Sequence, residues 1–452
     1  MRKELIMALH GFQGTKSRRR LIKELFSRLL FTGVLLVFPV LSVQGVSGEM
    51  DERQGGEKPL SLEQMVSEAI KNNPEINSLR ELEAAKRAVV PQVYSLPDPL
   101  LSYSLRNVGL DRITVGEEMM AGRLLSFTQK IPFPGKLGRL KDAAQWDATA
   151  SSHLTEERSL NIVAAVKTAY NDLYFMYEAI EIINEIQGIL EMFLRTAEAR
   201  YKVGKGIQQD VLKAQVELSR LEEKKILLEE RKAIFKDQIN KLIGRDPDSI
   251  LGRPVDLELS PTLLTPAELK SVAQEKSPTL QFQDALAARE ESSLKLAKKQ
   301  YFPDIYLGMT WMDRAEIEDI WEARLGLEIP LYFWTKERKS VEEAQSRYLK
   351  ARYDVENVRL QILQLVRDLS IEMDTSERLY SLYIETILPQ ARLALESATR
   401  GYETGEVDFL TLFDNLIVLL DYELEAREQL VRHENSLAEL ESIIGDEVTL
   451  KQ

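Results

Sequence analysis

The chain has 452 residues, a formal charge of −13 and no cysteine; 29% of its residues are charged and 7% aromatic. Without cysteine, disulfides, thiolate metal sites and a cysteine nucleophile are excluded. No stretch is basic enough to suggest nucleic acid. The charge content and scarcity of Gly and Pro favour long helices.

Residues 1–48 read as an export signal. "KSRRRLIKELFSR" is a basic n-region, "LLFTGVLLVFPVL" an apolar h-region, and "SVQGVSG" supplies small residues for cleavage. A membrane anchor fits less well, because the apolar run is short for a span and ends in Pro, Ser and Gly. The segment carries 8 basic and 2 acidic residues, so its removal takes the charge from −13 to −19. No later stretch approaches the ~18 apolar residues of a membrane helix. The mature chain is therefore soluble, or crosses a membrane as a barrel.

The next segment, 49–244, is repeated in 265–446. "SLEQMVSEAIKNNPEI" at 61–76 returns as "TPAELKSVAQEKSPTL" at 265–280. Pro97-Asp98 returns as Pro303-Asp304, and Ile131-Pro132 as Ile329-Pro330. "RYKVGKGIQQDVL" at 200–212 matches "GYETGEVDFLTLF" at 401–413, and "LIGRD" matches "IIGDE". Five landmarks in one order, at offsets of 198 to 206, define a duplicated unit. Residues 245–264 link the copies and 447–452 form a tail.

Each copy reads helix, strand, loop, strand, very long helix, Gly turn, helix. The strands are expected near 100–107 and 123–131, and near 304–312 and 323–330. Leu101, Tyr103 and Leu105 alternate with Ser102 and Ser104; Leu125, Phe127 and Ile131 alternate with Ser126, Thr128 and Lys130. Ile305, Leu307, Met309 and Trp311 alternate with Tyr306, Gly308 and Thr310 in the second copy. Its partner strand sets Leu325, Leu327 and Ile329 against Arg324, Gly326 and Glu328. All four strands thus have one apolar face, the period-2 pattern of strands that can meet lipid in a barrel. The other face, with Ser102, Ser104, Thr128, Lys130, Arg324 and Glu328, would line a lumen. Prolines at 97, 99, 132, 134, 303 and 330 punctuate the switches between helix and strand. Four strands cannot close, and open edges are not tolerated in lipid, so closure requires more than one chain. Two chains would give eight strands and a filled interior; a conduit favours three.

Long helices follow, about 140–201 and about 338–400. No proline occurs between Pro134 and Pro247, and no glycine between Gly326 and Gly401. Val163, Val166, Tyr170, Leu173, Tyr177 and Ile180 are spaced 3-4-3-4-3, a coiled-coil seam. At ~1.5 Å per residue such a helix spans roughly 90 Å, which calls for an extended bundle.

No enzyme signature is present: there is no phosphate-cradling glycine loop, zinc-type His-Glu-x-x-His or Gly-x-Ser-x-Gly elbow. His153 and His433 sit on helical patterns, and the acidic pairs Glu222-Glu223 and Glu342-Glu343 read as solvated helix faces. Met119-Met120, between the first two strands, is a poor soft-metal site. No cofactor or metal site is expected.

The ordered set "LPDPLLSYSLRN", "FTQKIPFPGKLGRLKDAA", "YFPDIYLGMTW", "LGLEIPLYFW…KERKSVEEAQSRYLKAR" and the two Tyr-x-x-Gly turns resembles the TolC-like outer-membrane efflux channels over nearly the whole mature chain. That resemblance implies a mainly α fold with a small membrane β-barrel portion: a homotrimer with a twelve-stranded barrel and a long α-helical periplasmic tunnel. It implies an exit duct that docks onto a periplasmic adaptor and an inner-membrane pump. It also makes the turns at Tyr201, Gly204, Tyr402 and Gly405 an adaptor-docking tip. Asp414, with Asp210, would lie at the periplasmic aperture, while Thr411 stands where the family has another acidic residue. Many relatives carry a lipidated N-terminal Cys, which this chain lacks. The competing expectation is a periplasmic coiled-coil adaptor or scaffold with no barrel; the four alternating strands argue against it.

Overall fold

The computed structural model describes residues 60–446 except 109–114, 116–117 and 262–263. The signal peptide, the C-terminal tail and part of the first inter-strand loop lie outside the described residues.

Both repeats open with a broken helix pair. In the first, α1 (Leu62–Asn72) stops at Asn73, and α2 (Pro74–Tyr94) starts at once. Asn73 caps α2 by accepting from the Glu75 and Ile76 amides, and donates to the Leu242 carbonyl (2.8 Å). In the second, α5 (Pro266–Lys276) carries a capping box between Thr265 and Glu268, and α6 (Pro278–Lys299) follows. Pro74 and Pro278 stand at the first helical position, where the missing N–H costs nothing.

Two hairpins follow the helix pairs. Strands β1 (Leu100–Arg106) and β2 (Gly122–Ile131) come from the first repeat, β3 (Asp304–Asp313) and β4 (Ile320–Glu328) from the second. They form one antiparallel sheet in the order β1-β2-β3-β4, so the repeats join through β2 and β3. The register puts Ser102 opposite Ser126, Ser126 opposite Thr310 and Thr310 opposite Glu322, a polar row across all four strands. One residue along, Leu101, Phe127, Met309 and Ala323 form the apolar row of the other face. Within the chain β1 and β4 each have one partner, so the sheet keeps two open edges.

The long helix α3 runs Lys136–Lys202, about 100 Å at ~1.5 Å per residue. Every seventh residue from Ile162 to Ala197 (Ile162, Ala169, Met176, Ile183, Leu190 and Ala197) is buried. That repeat is the signature of coiled-coil packing. Its counterpart is interrupted: α7 (Glu337–Leu382) passes through a π-turn at Tyr383–Ile387 into α8 (Leu388–Thr404). The cause is Pro389. It lacks the N–H that the Glu385 carbonyl would receive in an α-helix, so the turn widens.

Short turns return the chain into α4 (Gln208–Ile243) and α9 (Phe409–Ile444). Around α3 pack α2, α4, α6 and α9. The largest core cluster lies between α3, α4, α8 and α9 and ends at Tyr402, Phe409 and Phe413 beside the turns. Among the described residues no helix is long and apolar enough to cross a membrane.

Candidate channel lining and periplasmic tip

Three parts of the chain carry the expected functional residues: the polar sheet face, the junction of sheet and helices, and the paired turns.

On the polar face Ser126 and Thr310 hydroxyls share a hydrogen bond of 3.0 Å across β2 and β3. Ser102, Ser104, Thr128, Lys130, Arg324 and Glu328 all lie on this face by register. Ser104 sits opposite Leu124, which is buried, so the polar row gives way to apolar residues towards the inter-strand loops. Arg324 pairs with Glu322 at 2.9 Å. The opposite face leaves Leu101, Tyr103, Phe127, Leu307, Leu325 and Leu327 exposed. Such a continuous apolar surface on a monomer marks contact with lipid or protein.

At the helix end of the sheet the charges are wired together. Lys130 bridges Glu328 (2.6 Å) and Asp304 (3.2 Å), and Tyr306 donates its hydroxyl to Glu328 (2.9 Å). Asp304 also receives Lys136 Nζ (2.7 Å) and the Phe133 amide (2.9 Å), and Lys136 donates to the Phe302 carbonyl. The Phe133 and Phe302 rings stack at 4.5 Å beneath this network. Lys136 begins α3 with only 6% of its side chain exposed, so its charge depends on these partners. The network joins β2 and α3 of one repeat to β3 and β4 of the other. Lys130 and Glu328 were expected here as separate lining charges; Asp304 and Lys136 were not expected at all. The repeated Pro-Asp step at 97–98 and 303–304 was the signal for Asp304 in the sequence.

At the turns, Gly204 (φ +74°) and Gly405 (φ +87°) take the left-handed conformation that favours glycine. The wrapping is equivalent: Lys205 and Gly206 amides donate to the Arg200 carbonyl, and Glu406 and Val407 amides to the Gly401 carbonyl. The two tyrosines differ. Tyr201 is 48% exposed, whereas Tyr402 is 4% exposed, edge-on to Phe409, with a buried hydroxyl that has no hydrogen-bond partner. Arg200 crosses from the first turn to the second, donating to the Tyr402 carbonyl and lying over its ring.

Asp210 stands in the first turn of α4, partly buried. Burial, then repulsion from Asp408, pushes its carboxyl above the usual range, while Arg200 pulls it back. Asp408 caps α9 by accepting from the Thr411 amide (2.8 Å), and the Thr411 side chain together with that amide holds its own carboxyl low. Asp414 lies in the second turn of α9 and is exposed. The structure thus gathers Asp210, Asp408, Arg200 and Tyr402 around one contact and leaves Asp414 outside it. Sequence reasoning missed Arg200 and Asp408, which have no equivalents in the other repeat. Among the described residues no group of His, Asp and Glu is placed to hold a metal ion.

A duplicated unit with one hairpin per repeat, a sheet apolar on one face, and a helix of about 100 Å ending in paired glycine turns define a channel-forming envelope protein. The chain belongs to the outer membrane efflux protein family, whose model matches residues 65–245 and 269–445. Membership makes it the outer-membrane exit duct of an efflux or secretion system rather than a scaffold without a barrel.

Solved structures share its fold. VceC of Vibrio cholerae is 16% identical, with a TM-score of 0.73 over 85% of this chain and 96% of that one. CmeC of Campylobacter jejuni is 14% identical, with a TM-score of 0.71 over 92% and 95%. The open state of MtrE from Neisseria gonorrhoeae is 14% identical, with a TM-score of 0.71 over 91% and 98%. No curated protein matches the chain in sequence.

Proposed function

We propose that three copies of this chain close into one duct, with a twelve-stranded barrel in the outer membrane and a helical tunnel in the periplasm. One observation carries the reading: a four-stranded sheet with an apolar face, a polar face and two open edges. In lipid every backbone group must find a partner, so β1 of one copy pairs with β4 of the next until the ring closes. The apolar rows then face lipid and the serine, threonine and charged rows face water. Tyr332, Phe333 and Trp334, exposed just after β4, form an aromatic belt at the periplasmic edge of the bilayer. Apolar residues left exposed along the helices, such as Val216 and Ile234 on α4 and Tyr353 and Leu360 on α7, are covered where copies pack.

The duct conducts passively. A periplasmic adaptor docks at the turns carrying Tyr201, Gly204, Tyr402 and Gly405, and an inner-membrane pump supplies the cargo. Exposed Leu212 beside the first turn enlarges that docking surface. Asp414, with Asp210 behind it, lines the narrow periplasmic mouth.

The test is reconstitution. Protein extracted from outer membranes and run unheated should migrate as a trimer, and planar bilayers containing it should conduct. A detergent-extracted monomer without conductance would sink the proposal.

A further inference from the structure

Four segments pass between the sheet and the helices, and each carries an aromatic ring. Tyr94 closes α2 before β1, Phe133 lies between β2 and α3, Phe302 leads into β3, and Tyr332, Phe333 and Trp334 follow β4. All but Phe133 are between 47% and 68% exposed, too open for a core.

Basic residues occupy the helix turns beside these rings. Lys141 Nζ, in the second turn of α3, lies 5.1 Å from the centre of the Tyr94 ring. Lys299 Nζ, in the last turn of α6, lies 5.9 Å from that of Phe133. Among the described residues neither has a carboxylate partner, nor has the exposed Lys298 next to Lys299. Lys336, the N-cap of α7, has 80% of its side chain exposed, and its one carboxylate contact among the described residues, Glu337, is at 3.9 Å. The remaining cations here are taken: Arg139 pairs with Asp142, Arg338 and Lys339 share Glu342, and Lys130 and Lys136 belong to the junction network. Exposed Asp98 stands against the four lysines. The zone is therefore basic, in a chain whose mature charge is −19.

An ammonium over a ring is held by the ring's negative face and keeps its charge for a further partner. Exposed rings settle where hydrocarbon meets water, and lysine stems let the charge reach the headgroups. We propose that this collar binds anionic phospholipid, a phosphatidylglycerol-type phosphodiester, with the rings at the acyl boundary and the lysines on the phosphates. The leaflet is the periplasmic one, because the helices begin here. The inference rests on the barrel reading given above and adds a lipid preference to it.

Tryptophan fluorescence of the full chain in phosphatidylcholine vesicles tests this. Part of the lipid is replaced by brominated phosphatidylglycerol or brominated phosphatidylcholine, and the quenching lost in Trp334→Phe is the share of Trp334. Phosphatidylglycerol should quench that share at an about fivefold lower concentration for each lysine engaged, the effect of one lysine near an anionic surface. High salt should remove the preference. Lys141→Gln, Lys298→Gln, Lys299→Gln and Lys336→Gln combined should abolish it, whereas Lys224→Gln with Lys225→Gln, midway along α4, should not. Equal quenching by the two lipids, from protein that runs as trimers and conducts, overturns the collar and leaves the duct standing; the rings then meet neutral lipid or a neighbouring copy. A preference that survives high salt also overturns it, and that measurement needs no variant of the lysines. Absence of conductance in every bilayer overturns the duct, and the collar with it.

Discussion

The guanidinium of Arg200 lies 4.6 Å from the centre of the Tyr402 ring and donates to the carbonyl of the same residue. One side chain thereby ties the turn that ends α3 to the turn that ends α8. A cation over a partly desolvated ring contributes roughly 0.5–2 kcal/mol, before the carbonyl bond is counted. Arg200→Gln should loosen the tip and raise the open fraction of single channels in planar bilayers. Unchanged gating would mean that the two turns are held together elsewhere.

The facing of the sheet predicts asymmetric tolerance. Leu327→Arg places a charge on the exposed apolar face, at ~2–4 kcal/mol per chain near the bilayer midplane. Ser102→Arg adds the same charge to the polar row opposite Ser126. The first should fail to appear as trimers in outer-membrane extracts, and the second should assemble. Equal yields would reverse the facing assignment.

The junction network should be sensitive to a single missing partner. Lys136→Met leaves Asp304 with Lys130 and one amide, and removing half of a buried pair costs at most ~3–5 kcal/mol. Because Asp304 keeps those partners, the expected loss is at the low end of that range. It should show as a lower dissociation temperature of the trimer on unheated gels. Lys136→Met combined with Asp304→Leu should recover part of the loss, because no uncompensated charge is then buried.

The two aspartates of the tip should separate in electrical recordings. Asp414 is exposed and gathered with its symmetry copies in the proposed mouth, where carboxylates raise local cation concentration. Asp414→Ala should lower cation selectivity and weaken block by divalent cations. Asp210→Ala should change selectivity less, since Asp210 is engaged with Arg200 and Asp408.

Acidification should tighten that same tip. The folded-state carboxyl of Asp210 is raised, so its stabilising contribution is complete below the ordinary aspartate range and is lost as pH rises through the raised value. Hydrogen exchange of the two turns, corrected for intrinsic rates, should therefore show greater protection in mild acid, and Asp210→Asn should flatten the dependence. The opposite slope would mean that Arg200 outweighs burial and Asp408 at the site.

The sequence by itself determined the duplicated plan, the order of helices and strands apart from the break before Pro389, and which residues share a face of each strand. These are properties of short windows: a period of two, a heptad seam, a proline at a boundary, a glycine where φ must be positive. Leu101, Leu125, Ile305 and Leu327 could be assigned to one face without knowing their neighbours, because alternation is local. Only the tertiary structure decided that β2 pairs with β3, that Lys130 is bound by Asp304 and Glu328, and that Arg200 reaches Tyr402. The partners in those contacts lie 174 to 202 residues apart, and no local pattern specifies which of 59 basic residues meets which of 72 acidic ones. The same reason separates Tyr201 from Tyr402. Their turns have matching sequences and matching backbone bonds, but one ring points outward and the other is buried by helices from both repeats. Burial is a property of the packed chain, and no single segment carries it.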